Sequence, residues 1–147
     1  MTGMAGGSYR FLDHMTDAVI EASGGSLEEA FEQAARGLND TMIDLSTVRP
    51  DREIEIEAQG HDLESLLFDW LDKVMLILVA DGIVMSEFRT SIQKSDGDQY
   101  SLKGTAKGEK LDLSRHHYKV EIKAVTYHEM MVKQEHDRVT VRFLLDL

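Results

Sequence analysis

Asp146 stands one residue before Leu147, directly after the apolar run from Val139 to Leu145. A terminal strand that finishes this way brings an Asp side chain and the Leu147 α-carboxylate within a few ångströms of each other. Two such oxyanions repel unless a cation joins them. A second acidic knot, Asp13-His14-Met15-Thr16-Asp17, follows the apolar segment Tyr9 to Leu12 near the other end. If the two terminal strands meet, Asp17, Asp146 and Leu147 make an all-oxygen pocket for a hard divalent cation such as Ca²⁺ or Mg²⁺. The competing reading is that these are turn-forming and surface acids.

Other metal and catalytic signatures are missing from the chain. The Asp13–Asp17 segment is no EF-hand, because it has neither a Gly at the sixth loop position nor a bidentate acid at the twelfth. The histidines show no HExxH spacing, and with no cysteine a closed zinc site has no thiolate to draw on. His14 and His128 merit attention, since each lies two residues from a Thr and beside an acid able to orient its ring. A structural role is the simpler reading of both. Gly104 to Glu109 lacks the G-x-x-x-x-G-K-[ST] pattern and sits in β-like surroundings, so it reads as a strand edge or bulge. No G-x-S-x-G elbow nominates a nucleophile.

The elements that must position these residues follow from periodicity. Tyr9 to Leu12 and Ala18 to Ala22 read as strands around the acidic knot, and Gly24-Gly25 closes the second. Ser26 with Glu29 is a capping-box pattern opening a helix with Leu27, Ala30, Phe31, Ala34, Ala35, Leu38 and Met42 on one stripe. After a loop holding Pro50, the strict alternation from Glu53 to Ala58 marks a strand whose three Glu line a wet face. A second helix spans about Asp62 to Ala80, with Trp70 as a core anchor and Asp81-Gly82 ending it. The rest reads as strand: Ile83 to Gln93, Tyr100 to Gly108, Tyr118 to Ala124, Glu129 to Gln134 and Val139 to Leu145, with a turn at Asp96-Gly97. Two amphipathic helices among about eight strands give an α+β single domain, the helices packed on one face of a mixed or antiparallel sheet.

Length fits one compact domain over residues 8–147, preceded by a flexible N-terminus at residues 1–7. A net charge of −11 argues against a protein that grips nucleic acid through its phosphates, so DNA is not an expected partner. The dense basic stretch Arg115, His116, His117 and Lys119 reads as a solvated loop. The longest apolar run, Val74 to Ala80, is too short to span a bilayer, and the expectation is a cytoplasmic protein without a membrane partner.

The string Glu121-Ile122-Lys123-Ala124-Val125-Thr126-Tyr127-His128, with its K-A-V-T-Y-H core, resembles the archease family. The likeness extends over nearly the whole domain. Asp13 to Asp17 stands where archeases carry H-T-A-D, Ser26 to Glu32 is similar to the family's first-helix opening, and Leu67 to Asp72, the G-x-x-x-G-E of Gly104 to Glu109 and the final Leu144-Leu145-Asp146-Leu147 also match. The departure is Met15-Thr16 in place of Thr-Ala. The resemblance implies an accessory factor, not an enzyme, that assists the RtcB-type RNA ligase joining tRNA exon halves by promoting ligase guanylylation and repeated turnover. It implies contact with tRNA only through the ligase. It also implies a divalent metal, Ca²⁺ first with Mg²⁺ or Mn²⁺ as alternatives, held by Asp17, Asp146 and the main-chain oxygens of Leu147. Two alternatives stand behind it: a metal-dependent phosphoesterase using Asp17, Asp146, Glu109 and His128, and a general protein chaperone with an exposed apolar groove.

Overall fold

Helix and strand boundaries in the computed structural model, which describes residues 6–12 and 17–147, are set by local chemistry. Strand β1 (Ser8–Leu12) and strand β2 (Asp17–Gly24) pair antiparallel and lead into helix α1 (Leu27–Met42). The Ser26 hydroxyl accepts the Glu29 N–H, and the Glu29 carboxylate accepts the Gly25 N–H at 2.7 Å, so orphan donors at the helix start are satisfied. A short 3-10 turn (Leu45–Thr47) precedes β3 (Arg52–Gly60). Helix α2 (Leu63–Val79) opens with a reciprocal capping box between Asp62 and Ser65. Strands β4 (Ile83–Lys94), β5 (Tyr100–Lys110), β6 (Ala124–Gln134) and β7 (Val139–Asp146) complete the chain.

The strands divide into two sheets, β1-β2-β7-β6 and β3-β5-β4, with every pairing antiparallel. Each helix touches strands of both sheets, so one continuous core runs through the molecule. Trp70 is its anchor, fully buried, with its indole Nε1–H donating to the Phe31 carbonyl at 3.0 Å. A Cβ on Gly104 would stand only 3.0 Å from the Trp70 ring, which explains a glycine in the middle of β5.

Helix α1 also closes the outer edge of β4 with side chains. Asn39 Oδ1 accepts the Met85 N–H, Glu32 accepts the Thr90 N–H, Glu28 accepts the Ile92 N–H, and Arg36 donates to the Ser86 carbonyl. These residues recur at helical spacing, giving the edge a substitute for a missing strand. A bulge between Met85 and Glu87 shifts the parity of the outward-facing amides from Met85 to Thr90 and Ile92. It also presses β4 onto Gly108, where a Cβ would lie 1.9 Å from the Val84 carbonyl oxygen.

Three expectations are corrected. Tyr118 to Lys123 does not form the expected strand, and only Ala124 belongs to one, as the first residue of β6: Tyr118 makes an isolated bridge to Ile43, while the Asp44 N–H donates to the His117 carbonyl and the Lys119 N–H to the Met42 carbonyl. The backbone at 117–119 satisfies the end of α1, and the chain reaches β7 only at Lys123, whose N–H donates to the Asp146 carbonyl. Glu129 to Gln134 is the far half of β6, whose register against β7 breaks between Thr126 and Met131, with Glu129 at φ 60°. Gly104 to Glu109 belongs to the central strand of its sheet, not to an edge.

Candidate functional site

Alternation along the two terminal strands decides where the predicted acids point. In β7 the odd residues Val139, Val141, Phe143 and Leu145 are buried in the core, which leaves Thr140, Arg142, Leu144 and Asp146 on the opposite face. In β2 the core takes Ile20 and Ala22, placing Asp17, Val19, Glu21 and Ser23 on that same opposite face. The strands run antiparallel in a register that sets Asp17 directly across from Asp146. The condition posed by the sequence, that the two terminal strands meet, is fulfilled by β2 and β7.

The pair is of the close kind. The Asp146 carbonyl accepts the Lys123 N–H at 2.8 Å, so it turns toward β6 and away from β2. Asp17 and Asp146 are then a non-hydrogen-bonded pair, the arrangement in which opposed Cα atoms approach to about 4.5 Å and side chains lie nearest. Asp146 is exposed and Asp17 half-buried. Leu147 follows directly and packs its side chain against the core. Among the described residues no Lys or Arg forms an ion pair with Asp146.

Two carboxylates in register, with main-chain oxygens alongside, offer only hard oxygen donors. That donor set fits Ca²⁺, Mg²⁺ or Mn²⁺ and is poor for a thiophilic ion. Among the described residues no group of three His, Asp or Glu side chains converges. Asp13, His14, Met15 and Thr16, the rest of the acidic knot, lie outside the described residues.

Further along the same face Glu21 is gripped from both sides. Arg10 donates to it through Nε and Nη2 at 3.0 and 2.9 Å, and Arg142 Nη2 donates at 3.1 Å. Burial pushes its carboxyl up, but the two guanidinium groups outweigh that and hold it below the usual range. Val19 and Leu144, opposite one another, separate this neutralised acid from the Asp17–Asp146 pair.

His128 does not join the acids. Its ring is exposed, with Glu129 at 4.0 Å, and its backbone N–H donates to the Thr126 hydroxyl. The neighbouring Tyr127 stacks on Phe68 of α2, ring centroids 4.6 Å apart. Glu109 is committed elsewhere: it takes Arg115 on one oxygen, His116 Nε2–H at 2.8 Å and the Arg49 N–H at 2.8 Å on the other. Burial alone would raise its carboxyl, yet these donors lower it to about 2. His116 Nδ1 accepts the Asp112 N–H at 2.9 Å, so the buried ring is the Nε2–H tautomer. The basic stretch predicted as a solvated loop thus contains a buried histidine and an ion pair that staple residues 109–116 together. Sequence spacing gave no signal for that staple beyond the G-x-x-x-G-E string.

A sequence model of the Archease protein family matches residues 9–147. Curated relatives described as "Protein archease" include one from Sulfolobus acidocaldarius, 39% identical over 95% of this chain and 98% of its own length. Another from Methanopyrus kandleri is 37% identical, covering 92% of this chain and 96% of its own. The solution structure of Methanobacterium thermoautotrophicum protein 1598 superposes with a TM-score of 0.83 at 37% identity, over 98% of this chain and 100% of that one.

Proposed function

This chain belongs to the archease family, and on that premise we propose that it is an accessory factor of an RtcB-type RNA ligase, promoting ligase guanylylation and multiple turnover, with no catalytic set of its own. The observation that supports this reading best is the in-register Asp17–Asp146 pair, formed by the family's first acidic motif and its C-terminal L-D-L. The ligands of a divalent ion, Ca²⁺ before Mg²⁺ or Mn²⁺, are Asp17, Asp146 and the main-chain oxygens of Leu147. When bound, such an ion supplies positive charge that offsets the charge of transferring phosphates. The protein's own contribution is to hold two carboxylates in fixed register at the end of a sheet, where docking against a partner presents them as a rigid unit. Binding the guanylylation-competent state of the ligase more tightly than the others has the same outcome by population shift. tRNA is met only through the ligase, and the setting is the cytoplasm.

The test is single-turnover guanylylation of the cognate ligase with and without this protein at fixed divalent metal. Acceleration that is lost in Asp17→Ala and Asp146→Ala is expected. A verified active ligase that is not accelerated overturns the reading, and full activation by both variants removes the acidic pair from it. The phosphoesterase alternative has no support in the geometry, because both Glu109 oxygens are taken by Arg115, His116 and Arg49.

A further inference from the structure

The two outer strands of the β3-β5-β4 sheet are treated differently. The β4 edge is closed along its length by Glu28, Glu32, Arg36 and Asn39 of α1. At the β3 edge the Gln59 N–H donates to Asp69 of α2 at 2.8 Å, which shows that the amide of Gln59 points outward. In an antiparallel strand alternate residues share that direction, so the amides and carbonyls of Glu53, Glu55 and Glu57 point outward too. Among the described residues nothing pairs with them, and all three residues are exposed. Their side chains form a row on the outer sheet face, and none is in an ion pair among the described residues. Between them Ile54 is half-buried and Ile56 buried on the inner face.

We infer that the β3 edge is a strand-addition site for an extended segment of a protein partner carrying Lys or Arg at alternate positions and apolar residues between. The backbone of Glu53, Glu55 and Glu57 supplies the ladder hydrogen bonds, as in other sheet-edge recognition. On the β5 side Lys107 and Lys103 stand across from Glu53 and Glu57 while Glu55 faces Thr105; added residues on the open side share the face of the three Glu, where basic side chains offset the negative charge that remains. The intervening residues fall on the inner face, level with Ile54. A second copy of β3 would set like charges opposite one another, so the edge repels its own kind while accepting a basic strand. This surface is independent of the acidic pair and of the ligase reading.

A fluorescein-labelled heptapeptide of alternating lysine and valine tests it by anisotropy, alongside the same peptide N-methylated at the amides that would pair and a glutamate-for-lysine version. Expected are saturable binding of the parent, loss on N-methylation and on charge reversal, a roughly fivefold weakening by Glu55→Lys, and slowed amide exchange at Glu55 and Glu57. Equal binding of the N-methylated peptide would reduce the effect to charge attraction and overturn strand addition. Absence of saturable binding, slowed exchange at β1 instead of β3, or concentration-dependent protection of β3 without peptide, the sign of a second copy, would overturn it equally.

Discussion

The Asn39 side chain on α1 holds the Met85 backbone on β4: its Oδ1 accepts the Met85 N–H at 2.9 Å while its Nδ2 donates to the Ala35 carbonyl at 3.0 Å, both in the buried interior. Asn39→Ala leaves the Met85 amide without a partner where water cannot replace it. The expected loss is about 2 kcal/mol, read as a lower urea midpoint at unchanged slope. An unchanged midpoint would show that the edge does not depend on this rung.

Under the proposed metal reading, Asp146 is a ligand of the ion and stands directly across from Asp17. Asp146→Asn should therefore abolish any rise in Tm on adding calcium, which the parent should show in proportion to the logarithm of ion concentration. Thermal unfolding with chelator and with calcium reads the effect, and an equal calcium response in the variant would place the ion elsewhere.

Glu109, held down to about 2 from an ordinary 4.5 by Arg115, His116 and Arg49 against the opposing effect of burial, stabilises the fold only while ionised. With the folded value below the unfolded one, its contribution is complete above pH 4.5 and is lost as pH falls toward about 2. Glu109→Gln should be less stable than the parent at neutral pH, and the gap should close across that window in an acid unfolding series.

Glu32 has the opposite sign. Burial raises its carboxyl, with Glu29 and Glu28 adding to the rise and the Thr90 hydrogen bonds opposing it. Its charged form is less favoured in the folded state than in the unfolded one, so the parent gains stability as pH falls from neutral through the raised value toward 4.5. Glu32→Gln keeps an acceptor for the Thr90 amide and should equal or exceed the parent at neutral pH, with the difference shrinking in acid. Urea midpoints of the two proteins across this range give the comparison.

Local chemistry was legible in the chain wherever neighbours in sequence decide it. The cap at Ser26, the apolar stripes of α1 and α2, the wet Glu row of β3, the turn at Asp96-Gly97, where Gly97 and Asp98 take positive φ, and Trp70 as core anchor all follow from residues a few positions apart. The α+β class with helices against antiparallel strands followed from the same periodicities, as did the family resemblance from its motifs.

Partner choice was not legible, because period tells a residue which face it occupies and never what lies across from it. Alternation at Tyr118, Val120 and Ile122 imitates a strand, yet the backbone at 117–119 is spent on the end of α1. The division into two sheets, the closing of the β4 edge by polar residues that in sequence look like a wet helix face, and the Glu109 staple all depend on contacts between distant elements. The acidic pair shows both halves of this. Two acids beside apolar runs were visible in the chain; that Asp17 faces Asp146 was decided by the β2–β7 register, since a slip of one residue would have turned either side chain to the opposite face.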